Sequence, residues 1–307
     1  MSTAAAAPTT APSDPSKLSA IEDAKRAAAY RAVADNFDPS AKYVGIGSGS
    51  TIVYVVEAIQ ALKDPRIANM NFVPTGYQSR QVIQRAGLKD LKFDSLPENT
   101  LIDVAFDGAD EIDDDLNCIK GGGACLYQEK LVASQAKKFI CVADQRKLQS
   151  RLLSFWKYIP IEVEPLATYP VMSALKSLGS TSAVLREGHM MKDGPIKTDQ
   201  DNFIIDACFR PLLLPVDVQK SSSLHPTQKG MEGKGEGGVW EVQELAREIK
   251  AIEGVLSVGL FSGENGVQAL GRGMRRGGQK PVAAYFGMED GSVVVRYANK
   301  DGTASER

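Results

Sequence analysis

Histidine is almost missing from this chain. His189 and His225 are the only two in 307 residues, and both fall in turn-like or polar stretches outside the motif-rich half. A His-led catalytic relay has little to be built from, although His usually carries general-base chemistry where it is available. Cysteine is sparse too. Cys118, Cys125, Cys141 and Cys208 show neither C-x-x-C pairing nor zinc-ligand spacing. They read as reduced small hydrophobes of a cytoplasmic protein, with no metal expected. No apolar run reaches the roughly 18 residues of a membrane span. Charge of one sign is not in excess either: 36 Lys and Arg face 38 Asp and Glu, so no nucleic-acid footprint is expected. The opening MSTAAAAPTTAP lacks a basic n-region, a long apolar h-region and any Arg, which argues against a targeting signal. Residues 1–17 are expected to be a disordered tail.

What is present is an ordinary globular composition, 43% hydrophobic and 24% charged, with length enough for one large or two modest domains. Ser19 to Ala34 is Ala-rich behind a Ser cap and predicts a helix. Tyr43 to Ile46 is a short buried-strand candidate leading into Gly47-Ser48-Gly49-Ser50-Thr51. After that turn, Ile52, Val55, Val56, Ile59 and Leu62 recur at helical spacing. Strand, glycine-rich turn and helix together aim backbone N–H groups and a helix dipole at an anion. The turn is not a P-loop, because Ser50 stands where the Lys would be. It is not a dinucleotide fingerprint, because the third glycine is missing. Hydroxyls from Ser48, Ser50 and Thr51 suit a phosphate monoester, while the glycines could also serve simply to tighten the turn.

Further strands are predicted at 71–74, 101–106 and 138–142, with helices at 75–86 and 124–136 between them. Alternation of this kind predicts an α/β fold, a mostly parallel Rossmann-like sheet with helices on both faces. Ligands of such sheets lie beyond the carboxyl ends of the strands. The 47–51 turn, Thr75, Asp107 with Asp110, and Asp144 with Lys147 all fall there. From about Ser150 the pattern shifts to a smaller α+β unit, with strands at 158–163, 183–185, 203–208 and 255–261. The expected division is 18–150 plus 262–307 for the α/β domain and 151–261 for the smaller one. Residues 213–238 read as a mobile insertion and 286–297 as a hairpin.

Seven acidic residues crowd between Asp103 and Asp115. Asp113, Asp114 and Asp115 read as a solvated loop. A calcium loop fails on register, since position twelve from Asp107 or Asp110 is Cys118 or Gly121. Asp107 and Asp110 sit where an apolar strand runs out, so they can enter the crevice and accept hydrogen bonds from sugar hydroxyls, and two carboxylates close together would push one pKa upward. Glu129 is the most informative residue. Its helical neighbours Cys125, Leu126, Val132 and Ala133 are all apolar. A Glu there is either paired, with Lys130 or Lys138 as candidates, or held dry with a raised pKa that suits a general base. Lys120, followed by Gly121, Gly122 and Gly123, brings a cation and bare amides to stabilise a developing oxyanion. The combination meets the needs of proton abstraction next to a carbonyl, an aldose–ketose isomerisation that requires no cofactor.

VGIGSGST, DGADEID, KGGGACLYQEK and ADQRK, in this order, closely resemble the A-type ribose-5-phosphate isomerase family, and GPIKTDQDNFIID and SVGLFSGENGVQALG fit it as well. The resemblance spans about Lys25 to Gly271. It implies metal-free interconversion of ribose 5-phosphate and ribulose 5-phosphate through an enediol in the pentose phosphate pathway. Glu129 is implied as base, and Asp107, Asp110 and Lys120 as groups holding substrate and intermediate. Lys25, Ser48, Gly49, Ser50, Thr51, the three glycines and Lys147 are implied to bind the sugar phosphate. Ser48 stands where the family often has Thr. A homodimer or dimer of dimers is implied likewise. The tail, the 213–238 insertion and the basic 272–281 loop depart from the compact bacterial pattern and give the chain a eukaryotic, fungal look. Two other readings stay open on the residues themselves: a coenzyme A transferase using Glu129 as nucleophile, and a sugar-phosphate sensor that needs no base.

Overall fold

A computed structural model describes residues 15–188, 193–222, 232–274, 276–299 and 304–306. Both histidines and the tail before Pro15 lie outside these residues. The first helix, α1 (Pro15–Asn36), starts four residues ahead of the Ser19 cap expected from sequence. Proline at the first helical position explains the earlier start, since its missing N–H would be unpaired there anyway.

Seven strands form the main sheet in the order β14-β13-β12-β6-β3-β1-β2. They are β1 (Tyr43–Ile46), β2 (Asn71–Pro74), β3 (Val104–Asp107), β6 (Phe139–Asp144), β12 (Ala283–Gly287), β13 (Val293–Ala298) and β14 (Ala304–Glu306). The five from β2 to β12 run parallel; β12 and β13 form the expected antiparallel hairpin, and β14 pairs antiparallel outside it at the sheet's edge. Strands β1, β3 and β6 are buried throughout, which is why they read as unbroken apolar runs. On one face, α1, α2 (Ser50–Ala61) and α3 (Tyr77–Arg85) bury Ala28, Val33, Ile52, Val55, Ile59 and Ile83. On the other, α4 (Leu126–Ser134) buries Val132 and Ala133 against Ala105, Phe139 and Phe261. This is the α/β fold expected from the sequence.

Chain order reverses between β1 and β3: β2 lies on one side of β1 and β3 on the other. A crevice therefore opens at their carboxyl ends. Gly45 brings α4 down over it. A Cβ there would stand 2.7 Å from Ala105 Cβ and from Val132 Cγ1, so any side chain would push the helix off the sheet.

A second core belongs to an antiparallel sheet, β10-β7-β9-β8. Its strands are β7 (Ile159–Val163), β8 (Ser182–Leu185), β9 (Phe203–Cys208) and β10 (Val255–Val258), covered by α5 (Thr168–Ser177) and α7 (Val242–Lys250). The segment read as a mobile insertion contains helix α6 (Pro215–Ser222), and its residues 223–231 lie outside those described. A small sheet, β11-β5-β4, lies between the two cores, built from β4 (Glu111–Ile112), β5 (Cys118–Ile119) and β11 (Leu260–Phe261).

The β4–β5 turn corrects the solvated-loop expectation for Asp113. Its side chain is fully buried, accepting the N–H groups of Asp115 and Asn117 and the Asn117 side-chain amide. Asp114 is exposed beside Arg151 and Arg296, and Asp115 pairs with Lys280. Burial pushes the Asp113 carboxyl up to about 7 despite those donors. The folded chain thus holds this proton more tightly than the unfolded one, and stability falls as pH rises from about 4 towards 7. Asp113→Asn should be at least as stable as wild type at pH 8 and lose that advantage by pH 5. Melting curves across this range check it; a difference that does not vary with pH would contradict it.

Candidate active site

A cavity of about 530 Å³ fills the crevice. Lys25, Ser48, Gly49, Ser50, Thr51, Asp110, Lys120, Gly121, Gly122, Gly123, Glu129 and Lys147, all read as functional from sequence, border it. Asp107 is the exception, buried just behind them.

Glu129, in the first turn of α4, is only 5% exposed. Its Oε1 accepts a hydrogen bond from Ser48 Oγ at 2.8 Å. Its Oε2 lies 3.4 Å from Lys120 Nζ and accepts no hydrogen bond among the described residues. The partner is therefore Lys120, not Lys130 or Lys138. One carboxylate oxygen is fixed by Ser48 and the other has no hydrogen bond among the described residues.

Lys120 leaves β5 with its side chain 3% exposed. Its Nζ donates to the Gly108 carbonyl at 2.5 Å and lies 3.0 Å from Asp107 Oδ2. Burial works against its charge, but Asp107 and Glu129 outweigh it and hold the ammonium above its ordinary value. Asp107 Oδ1 accepts the N–H groups of Ser48 and Gly108. Only glycine fits at position 47, because a Cβ there would sit 1.9 Å from that oxygen. With both oxygens engaged, Asp107 orients Lys120 and does not meet sugar hydroxyls itself. Its carboxyl is raised by burial, held down by Lys120 and raised by Glu129. The neighbouring carboxylate that matters is thus Glu129 and not Asp110, contrary to the expected Asp107–Asp110 coupling.

Asp110 accepts the Gly122 N–H at 2.7 Å, and burial raises its carboxyl against the pull of that amide and of Lys147. Gly121 has φ +106°, a left-handed conformation that glycine adopts at no steric cost. At the far end of the cavity, the α2 N-terminus meets two lysines. Lys25 donates to Ser50 Oγ at 3.0 Å and pairs with Glu22 at 2.8 Å. Lys147 packs 5.0 Å from the Trp156 ring, and burial lowers its pKa against the opposing pull of Asp110 and Asp144. Amides, hydroxyls and two ammoniums there are groups that can hold an anion such as a phosphate.

Several contributors were not evident in the sequence. Gln78 borders the cavity and accepts the Gly49 N–H through Oε1 at 2.7 Å. Thr75, expected at the crevice, is buried and does not border it, although Gln78 one turn on does. Arg186, clamped by Asp206, donates to the carbonyls of Gly121 and Gly122 and braces the glycine loop from the second sheet. Glu162 accepts the Tyr127 N–H at the start of α4. Glu111, fully buried, gathers the N–H groups of Leu153, Ser154, Phe155 and Trp156. Cys125 also borders the cavity, but burial and Glu129 push its thiol up to about 12, so it is no nucleophile. Among the described residues no three His, Cys, Asp or Glu side chains converge on a metal-sized point.

Comparison with known proteins agrees with this geometry. The sequence profile of ribose 5-phosphate isomerase A (phosphoriboisomerase A) matches residues 71–226. A ribose-5-phosphate isomerase of Meyerozyma guilliermondii is 50% identical over 90% of this chain and 93% of its own. That of Schizosaccharomyces pombe is 42% identical over 92% of this chain and 86% of its own. Among solved structures, ribose 5-phosphate isomerase A of Methanocaldococcus jannaschii superposes with a TM-score of 0.67 at 27% identity, covering 89% of this chain and 98% of that one. A D-ribose-5-phosphate isomerase in complex with phospho-erythronic acid gives 0.69 at 29% identity, covering 94% and 99%. On sequence, fold and arrangement of the crevice alike, this chain belongs to the ribose 5-phosphate isomerase A family.

Proposed function

We propose that Glu129 is the general base with which this isomerase interconverts D-ribose 5-phosphate and D-ribulose 5-phosphate. The observation that carries the assignment is that Glu129 borders the cavity with its Oε2 buried, 3.4 Å from Lys120 Nζ and without a hydrogen bond among the described residues. The phosphate sits on Lys25, Ser50, Thr51, Lys147 and the α2 N-terminus, which leaves C1 and C2 of the open-chain sugar at the Glu129–Lys120 end. Glu129 removes the C2 proton of the aldose. Lys120 and the amides of the 121–123 loop receive the charge that grows on O1, the hydroxyl proton on O2 passes to O1, and Glu129 returns its proton to C1 as the C2 carbonyl forms. One well-placed donor to such an oxyanion is worth about 3–4 kcal/mol. Asp110 holds a sugar hydroxyl, and Asp107 keeps Lys120 in place.

A solved relative was captured in complex with phospho-erythronic acid, a phosphorylated sugar acid, which supports a sugar phosphate as ligand. With this reading go the family-implied homodimer or dimer of dimers and a cytoplasmic place in the pentose phosphate pathway. The test is a coupled assay of purified protein with ribose 5-phosphate in the presence of chelator. Ribulose 5-phosphate should form at a rate unchanged by chelation; tight binding without turnover would leave a sensor and overturn the reading.

A further inference from the structure

We propose that Lys130 is a positioning residue for the isomerisation, setting the distance between Glu129 and Lys120 through the segment Val258–Phe261, where β10 passes into β11. The inference rests on the roles assigned to those two groups. Glu129 and Lys130 are consecutive on α4, yet their side chains diverge. Glu129 enters the cavity, while Lys130 Nζ donates to the carbonyls of Val258 at 2.5 Å and Leu260 at 2.7 Å. The same ammonium lies 4.6 Å from the centre of the Phe261 ring.

The segment that Lys130 grips also fixes Lys120. Leu260 and Phe261 pair antiparallel with Ile119 and Cys118, and the Lys120 N–H donates to the Gly259 carbonyl at 2.9 Å. The Phe261 ring centre is 5.6 Å from Lys120 Nζ, so one ring serves both ammoniums. Position 259 cannot bear a side chain, because a Cβ would meet the Lys120 and Pro160 carbonyls at 2.5 and 2.6 Å. A single short run thus joins the helix carrying the base to the strand carrying the electrophile. The Glu162 contact at Tyr127 and the Val132 contact at Gly45 hold α4 to the other sheets, but neither ties it to this segment.

An amine placed against carbonyls, with no carboxylate in contact among the described residues, is costly to keep charged. Burial, with Lys250 nearby, brings its pKa down to about 7. Either protonation state still carries two N–H groups, one for each carbonyl, so the clamp holds across neutral pH. A misplacement of about 1 Å between reacting groups can cost roughly 10²-fold in rate.

The test compares full-length wild type with Lys130→Met, Lys130→Arg and Lys130→Gln. It reads kcat, KM for ribose 5-phosphate, and inhibition by inorganic phosphate and by phospho-erythronic acid, well below each melting temperature. Lys130→Met should lose about 10- to 10²-fold in kcat, with KM and phosphate inhibition within about threefold of wild type. Inhibition by phospho-erythronic acid, whose carboxylate resembles an enediolate in charge and planarity, should weaken by a similar factor. Lys130→Arg, which keeps donors for both carbonyls, should recover most of the loss. If Lys130→Met does not fold, Lys130→Gln, whose amide reaches one carbonyl at most, should show an intermediate loss in kcat. Wild-type kcat in whichever of these two folds would overturn the proposal, as would parallel loss of kcat and phosphate affinity, the mark of general loosening. An inactive Glu129→Gln beside a fully active Lys130→Met would remove the positioning role and leave the base assignment standing.

Discussion

Glu129→Gln should lower kcat by about 10²–10⁴-fold while KM for ribose 5-phosphate stays within a few-fold of wild type. That range is typical of removing a positioned general base. The split follows from where the binding groups lie. The proposed phosphate partners, Lys25, Ser50, Thr51 and Lys147, border the cavity from other elements and do not depend on the carboxylate at 129. Ser48 Oγ, 2.8 Å from Glu129 Oε1, can donate to an amide oxygen as it does to a carboxylate, so the substitution keeps the local geometry. The amide has no lone pair basic enough to take a carbon-bound proton. Steady-state kinetics on the variant decide it: turnover near the wild-type rate would dismiss Glu129 as base, and a rise in KM alone would make it a binding residue.

Replacing Lys120 by Met should be costlier still, because two functions fail together. The ammonium is the proposed partner of the developing oxyanion, and it is also the counter-charge beside Asp107 and Glu129, both below 7% side-chain exposure. Breaking a buried ion network by deleting one partner typically costs about 3–5 kcal/mol, since uncompensated charge is left behind. Activity should fall by about 10³-fold or more, given the worth of an oxyanion donor and the disturbed base. The pH dependence has a definite sign. Asp107 is raised by burial, and the pull of Lys120 is what restrains it. Without Lys120 its folded pKa climbs further above the unfolded value of about 3.9, so the variant loses stability as pH rises through that interval. The deficit in melting temperature against wild type should therefore be small at pH 5 and large at pH 8. A deficit independent of pH would mean that the buried charges are balanced some other way.

How far the site could be read from sequence alone follows from where each signal resides. The anion turn, the Asp107 strand end and the Glu129 helix were legible because each depends on neighbours within a turn or a strand. Apolar residues three and four places from Glu129 announce its burial directly. The α/β fold was legible for the same reason, as fully buried parallel strands show as apolar runs between amphipathic helices. Asp113 and Glu111 were not. A carboxylate satisfied by backbone N–H groups looks, in sequence, like one satisfied by water, and only the folded turn distinguishes them. Arg186 and Gln78 act across 64 and 29 residues of chain, and local composition carries no trace of such pairings. The coupling of Asp107 with Glu129 was likewise hidden, because their closeness is created by α4 settling onto Gly45.

The most direct test of the central claim follows the C2 hydrogen of ribose 5-phosphate by NMR in D₂O, with wild type and Glu129→Gln side by side. Wild type should exchange the transferred hydrogen with solvent during turnover, and the variant should lose that exchange by the same factor as kcat while still binding the sugar phosphate. Exchange by the variant at the wild-type rate, or quantitative passage of the C2 hydrogen to C1 in both proteins with no variant defect, would contradict a proton carried by Glu129.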